Sequence, residues 1–483
     1  MTSTTQQRRN YGGWRRSRSI GLGSMDTRQT VMVTGAIFVP VAAAFFVGMS
    51  TGLIVAIPGV LVAALAIVRR NGVLIMDMVS ARVRWQIAEL RQETRYQGQV
   101  FAELPEVLDL PGVLAPTKLL AVEEPGRAAG PVGVVWNQRT GLMSVTLLLS
   151  PAGALLADHD TVQRQVAYWG LLLAGLANDP AIVHMAVTIE LLPESGSQLA
   201  DHIADRMDSE APDLARRVLS QMVTAAPQGS AQVHARLTLT VDPRRGASKP
   251  RSVAEAAAEA IRALGGLPVT AAGADVLRRA TTADLIRLVR RAYDPAAGTF
   301  SSAEWDKLTW ADAGPVTADD RLDHYRHDGA HSISWALLEA PRQEVPHDVL
   351  LRLLSPGRYP RRVTLVYRTL SRDQAGALLE RESNAAAARE EYRRRTKRDP
   401  TQREKADADR ATSAARQEAR GSGLVQFSLY VTTTVTDPED LVQARREVEQ
   451  AAGSSLLKLR VAYGGQAACF ATGLPCGINP VDA

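Results

Sequence analysis

The stretch DHYRHDGAH places His324, His327, Asp328 and His331 within eight residues. Neutral imidazoles and a carboxylate at this density are the donor set of a zinc or other first-row metal site. The Asp328-Gly329 pair argues the other way, because it reads as a tight turn leading into the strand SISWALLE. A turn followed by a strand sends successive side chains in different directions, so the cluster is read as a polar turn without a metal. The remaining histidines, His159, His184, His202, His234 and His347, fall in unrelated segments with no acid or base partner close in sequence. Phosphate chemistry has no support: the nearest fragment to a phosphate-binding loop, Gly246 to Lys249, lacks the spacing and the second glycine. A dinucleotide fingerprint, a nucleophile elbow and a His-Glu-x-x-His helix are equally missing. Cys469 and Cys476 stand six residues apart beyond the adjacent position, too far for a Cys-x-x-Cys motif and too few for a disulfide framework. The expectation is a non-enzymatic protein with no catalytic, cofactor-binding or metal-binding residue.

The elements around these residues begin with an apolar block. Val31 to Val68 contains no charged residue. As one helix it would be nearly twice as long as a bilayer core of roughly 30 Å requires. Gly48-Met49-Ser50-Thr51-Gly52 divides it, predicting a two-helix transmembrane hairpin with Pro40 and Pro58 inside the spans. Six arginines precede the block, Arg69, Arg70, Arg82 and Arg84 follow it, and the turn has none. Lys and Arg close to a span are retained on the cytoplasmic side, so both ends are expected there. An export signal led by Arg15-Arg16 is the alternative, but it calls for one short apolar core where this chain has two longer ones. Beyond the first 30 residues the chain balances at 50 basic and 50 acidic residues. This excludes a broad nucleic-acid surface and confines any such contact to the basic tail.

The expected organisation is a basic cytoplasmic tail over 1–29, the hairpin over 30–70, and a juxtamembrane helix and linker over 71–117. A first cytoplasmic α/β domain follows over 118–299, then a loop over 300–330 with Trp305 and Trp310, and a second α/β domain over 331–483. PVGVVWNQ and GLMSVTLLL read as strands joined near Gly141. A helix from Thr161 to Ala177 is expected to be capped by Asp160, and another helix is predicted over 274–293. The order of strands and helices predicts an α+β fold with ferredoxin-like split β-α-β sheets. Residues 372–420 hold 13 basic and 10 acidic residues and are broken at Asp399-Pro400, with capping-box spacing at Thr401 and Glu404. They are read as a protruding charged helical hairpin inserted in the second domain.

Several motifs then add up. The basic tail, the short hairpin, RVRW at 82–85, LPGVLAP at 110–116 and QVAYWGLLLAGLANDP at 165–180 occur in that order. DGAHSISW, RVTLVYRTL with its charged insertion, and AYGGQAACFATGLPCG follow. The series resembles a family of actinobacterial membrane proteins encoded beside conjugation-type ATPases. More distantly, the hairpin looks like the small two-helix VirB subunit of type IV secretion, and the rest like the amino-terminal domain of a VirB/TraC-type ATPase. In those ATPases a Gln-containing helix and a Leu-Pro-x-Gly segment, matched here by Gln466 and Leu474-Pro475-Cys476-Gly477, lead toward the motor. This chain ends at Ala483, and the resemblance therefore implies an adaptor whose ATPase is a separate polypeptide. The partners implied are that ATPase, the lipid bilayer and further copies or subunits of a membrane complex. The charged hairpin and the terminal segment are expected to make the contact. The alternatives are a type VII secretion membrane subunit and a membrane-tethered metal-dependent enzyme.

Overall fold

The computed structural model describes residues 27–70, 73–98, 108–124, 130–151, 153, 157–193, 212–225, 231–246, 249–341, 343–396 and 425–481. The chain divides into two compact units, one drawn from 12–90 and 370–424 and the other from 91–369 and 425–483, with 1–11 assigned to the latter.

The first unit holds α1 (Thr27–Phe46) and α2 (Met49–Ile67), both long and apolar enough to cross a membrane. The turn is tighter than the sequence predicts: α2 restarts at Met49, and Gly48 alone absorbs the reversal with φ of 134°. Only glycine adopts that conformation without strain. Small residues let the two helices meet. A Cβ on Gly52 would lie 2.4 Å from Ala44 Cβ, and one on Gly59 would lie 2.7 Å from the Ala36 carbonyl oxygen. This close approach is how helices associate where no hydrophobic drive separates them from lipid. At the open end the Gln29 amide donates to the Ala66 carbonyl at 2.6 Å. The outer surface, including Phe38, Phe45, Leu53 and Ile57, is exposed. Two-residue strands at Arg69–Arg70 and Val73–Leu74 follow, then α3 (Ile75–Leu90).

The second unit is built on a 13-stranded antiparallel sheet. Its strands are β1 (Arg95–Gln97), β2 (Thr117–Val122), β3 (Val132–Asn137), β4 (Met143–Pro151), β5 (Ile182–Pro193), β6 (Ala231–Val241) and β7 (Ala274–Arg279), then β8 (Thr317–Asp320), β9 (Tyr325–His327), β10 (Ala330–Glu339), β11 (Arg361–Thr369), β12 (Val425–Val435) and β13 (Lys458–Val461). The spatial order is β1-β8-β9-β10-β12-β11-β5-β6-β4-β3-β2, with β13 also pairing β10 and β7 also pairing β4. Strands of residues 118–299 and 331–483 thus share one sheet, joined through β5 and β11 from Arg361↔Leu191 to Arg368↔His184.

The order is nearly a palindrome, and the connections explain why. In the first half β4 leads through α4 (His159–Leu176) to β5, then through α5 (Asp213–Ala225) to β6, and through α6 (Val253–Gly265) to β7. In the second half β10 leads through turns over 346–355 to β11, then past α8 to β12, and through α9 (Leu441–Ser454) to β13. Here α8 is Arg372–Thr396, which belongs to the first unit. Each half places its four strands in the order fourth, first, third, second. Each is followed by one further helix, α7 (Thr282–Tyr293) and α10 (Gln466–Thr472).

Alternation along the strands gives the sheet two different faces. Met143, Val145, Leu147, Met185, Leu237 and Leu239 pack with α4 and α6 in one core, and Ile333, Trp335, Val363, Leu429 and Val431 pack with α9 and Leu353 in another. The opposite face carries hydroxyl and charged side chains, and it too is buried.

Two local expectations are corrected. Residues 274–279 form a strand, not the start of a helix, because they pair with the end of β4. The helix begins only at Thr282, after a capping box of Thr281 with Asp284. The cap of α4 is Asp158, which accepts from the Thr161 amide at 3.0 Å, in place of Asp160. The restart at Thr401 and Glu404, and the second limb of the expected 372–420 hairpin, lie outside the described residues. Asp437 does cap the turn that starts α9.

Candidate functional site

The four residues of the histidine cluster have separate roles. Asp328 sits at the β9–β10 turn with φ of 46°, and its Oδ1 accepts from the Val316 and Thr317 amides at 2.7 and 3.2 Å. His324 is bonded to Asp323 at 2.9 Å, and the His331 ring lies 5.6 Å from that of His324. His327 points inward and is fully buried among Tyr293, Tyr325 and Phe470. A carbonyl can only accept, so His327 Nδ1 donates to Tyr293 O at 2.5 Å, and in the neutral ring Nε2 accepts from the Ser332 hydroxyl at 2.8 Å. Among the described residues no three His, Cys, Asp or Glu side chains are arranged to hold a metal.

Burial pushes His327 down from the ordinary 6.5 to about 3, with its bond to Tyr293 opposing and the Arg362 charge adding to the effect. The neutral ring is therefore the stable one. Its contribution is complete above pH 6.5 and is lost as pH falls from 6.5 toward 3. The loss at pH 5 amounts to about 2 kcal/mol from this one group. Thermal unfolding of the detergent-purified protein between pH 7 and pH 5 should show that loss, and His327→Gln should flatten the dependence. An unchanged slope in the variant would remove His327 as its source.

Beginning at Ser332, the partner of His327, a series of cross-strand hydroxyl pairs runs across the sheet on one face. In the first half these are Ser144 with Thr240 and Thr146 with Thr238, each at 3.0 Å. The counterparts in the second half are Ser332 with Thr434 at 2.8 Å and Ser334 with Thr432 at 2.9 Å. Between the halves Thr188 meets Thr364 at 3.1 Å. This last pair joins equivalent positions of the two halves, so it marks the centre of their pseudo-symmetry.

Next to that centre lies a buried charge cluster. Glu190 stands directly across the strands from Arg362 and accepts from Arg236 Nη1 at 3.1 Å. Arg236 Nη2 donates to the Gly473 carbonyl at 2.5 Å. The Arg362 guanidinium lies 4.5 Å from the Phe470 ring centre, and its two terminal nitrogens have no hydrogen-bond acceptor among the described residues. Burial disfavours the Glu190 carboxylate, yet Arg236, Arg362 and Arg291 outweigh it and hold the group below the usual range. Burial lowers Arg362 to about 10, against the attraction of Glu190.

The segment covering this face is the carboxyl-terminal one. Gln466 accepts from the Ser334 amide at 2.7 Å and donates to the carbonyls of Ser334 and Ala462. Cys469 packs with Ala186, Val366 and Tyr430, and burial pushes its thiol to about 12. Leu474, Cys476 and Ile478 join the core formed by Val135, α7 and Trp310. Gln466 and the Leu-Pro-Cys-Gly segment are thus internal. Sequence reading also missed the Glu190, Arg236 and Arg362 group, since nothing in a strand's alternation says that its polar face is covered.

The surface offers two features of another kind. The helix α8 carries acids and bases along its length, and Leu378, Leu379 and Tyr392 are its only large apolar residues. The helix α5 is exposed at each of its described side chains, apolar ones included. No family model matches the chain, and no curated protein matches it.

Proposed function

We propose that the protein is a non-enzymatic inner-membrane adaptor of a conjugative or type IV-like secretion machine, docking an ATPase supplied as a separate polypeptide. The hairpin of α1 and α2 is the anchor, and the arginines flanking it support the reading that both chain ends lie in the cytoplasm. The sheet unit is the platform. The strand order fourth, first, third, second in each half supports reading it as two ferredoxin-like modules fused edge to edge.

The observation that carries the docking role is α8. It is a 25-residue helix, roughly 37 Å long, inserted between two adjacent strands whose pairing does not need it. A helix that is polar all round gains little from packing on its own protein. It is therefore read as the first limb of the charged arm over 372–420 that meets the ATPase, in keeping with the family resemblance.

The test uses the register of β11 and β12, which pair to their ends at Thr369↔Val425. Replacing 372–420 with a short Gly-Ser turn should leave this ladder and the melting temperature in place. Affinity purification of the native complex in mild detergent is expected to recover a secretion-type ATPase with the intact chain and to lose it with the shortened one. Equal recovery from both chains would refute the arm as the docking element. Recovery of no ATPase by the intact chain would refute the adaptor reading.

A further inference from the structure

We infer that α5 is an interfacial helix that lies on the anionic cytoplasmic leaflet, giving the sheet unit a second, non-spanning attachment to the membrane. The sequence DLARRVLSQMVTA sets Leu214, Val218 and Met222 four residues apart, with Ala215 and Leu219 beside them. At 3.6 residues per turn these fill one side of the helix, and Asp213, Arg216, Arg217, Ser220 and Gln221 fill the other. Leu214 is 69 % exposed and Met222 61 %, with Val218 and Leu219 exposed as well. An isolated helix of this length is marginal in water, so its apolar face needs a cover.

The occupant follows from charge and tethering. Arg216 is held by Asp213 at 2.5 Å, while the Arg217 guanidinium bonds only to the Asp213 carbonyl among the described residues. Leucine, valine and methionine on one face with arginine on the other is the composition of helices that rest at the headgroup boundary. An arginine near an anionic leaflet is attracted to it and strengthens such a contact. The chain is already fixed to the bilayer by α1 and α2, which turns a weak surface contact into an intramolecular one. The equivalent connection in the second half, α8, has no apolar face. The amphipathic pattern is therefore not something the fold demands at that position.

The inference rests on the membrane-anchored, cytoplasmic reading, and the experiment separates the two. Met222→Cys and, on the polar side, Ser220→Cys are labelled with an environment-sensitive fluorophore in the full-length chain. The native Cys469 and Cys476 are buried and stay unlabelled. The protein is reconstituted into phosphatidylcholine vesicles with and without phosphatidylglycerol and with nitroxide-bearing lipid. Quenching at 222 at least about twofold stronger than at 220, and weakened without the anionic lipid, is expected for a face sunk about 5–10 Å into the interface. Equal and weak quenching at both sites, in protein that resists alkaline carbonate extraction, would overturn the inference while leaving the anchor intact. Release by carbonate would instead overturn the anchor. A label at 222 shielded from aqueous iodide but untouched by nitroxide lipid would mean a protein covers the face, and would also overturn the inference.

Discussion

Replacing Glu190 with alanine is expected to destabilise the protein by about 3–5 kcal/mol, the cost of leaving buried charge without its partner. Two guanidiniums depend on this carboxylate. Arg236 would keep its bond to the Gly473 carbonyl, and Arg362 would keep the face of Phe470, but neither would have a counter-ion. Burial is nearly complete, with Glu190 8 % exposed, Arg236 2 % and Arg362 4 %, so water cannot take over. The arginines are not equivalent. Arg236 uses one nitrogen on Glu190 and another on Gly473, and Arg236→Met would strand both acceptors. Arg362→Met removes a cation whose terminal nitrogens have no acceptor among the described residues, and it leaves Glu190 paired one to one with Arg236, so no buried charge is stranded. Unfolding followed by tryptophan fluorescence should rank Glu190→Ala and Arg236→Met far below Arg362→Met. Arg244→Ala removes an exposed guanidinium and leaves the buried Asp242 carboxylate with Arg245 and the backbone amide of residue 244, so it should fall within about 1 kcal/mol of the parent. Should Glu190→Ala melt with the Arg244 variant, the cluster carries no such energy.

How much of this could be read from the chain depends on whether the signal is local. The hairpin was legible, because the length of an uncharged run and the glycines dividing it are local facts. So was the alternation in MSVTLLLSP and RRVTLVYRT, which encodes the apolar face that meets α4, α6 and α9. The other face misleads. Ser144, Thr146, Thr188, Thr238, Thr240 and Thr364 read as solvent-facing positions and are buried, two of them, Ser144 and Thr240, against Gly477 from more than two hundred positions away. Strand β7 reads as helix in the sequence for a related reason. ADVLRR has no strand alternation of its own, and its conformation comes from pairing with Leu147 to Pro151. The histidine cluster shows the converse. Its turn at Asp328-Gly329 was legible from the dipeptide, whereas the burial of His327 depends on Tyr293 and Phe470 from α7 and α10.

Gly477→Ala should be as damaging as the loss of Glu190, for reasons of space and backbone alone. Gly477 has φ of 65°, and a Cβ built there would stand 1.9 Å from Ser144 Oγ and 2.5 Å from Thr240 Oγ1. The left-handed conformation costs a non-glycine residue about 1–2 kcal/mol. The clash adds about 1–3 kcal/mol if side chains shift, or lifts the terminal segment from the sheet if they cannot. The second outcome would expose Leu474, Cys476 and Ile478 and uncover the Glu190 cluster through the loss of Gly473. A second pair of substitutions separates the two costs. Ser144 and Thr240 bond to each other at 3.0 Å, so Ser144→Ala with Thr240→Ala removes donor and acceptor together, which is close to neutral. In that background the oxygens that obstruct a Cβ at 477 are gone. Gly477→Ala should then cost its backbone share, about 1–2 kcal/mol, together with the smaller shift that relieves the Cβ of residue 144, 3.0 Å from the built atom. Thiol reactivity gives a second readout, because Cys476 is buried and its thiol is pushed up to about 12. In Gly477→Ala alone it should react with maleimide much faster than in the parent, and the triple variant should return it toward the slow rate. A Gly477→Ala protein that melts like the parent and keeps Cys476 protected would mean that the segment does not press on the hydroxyl pair as this geometry requires.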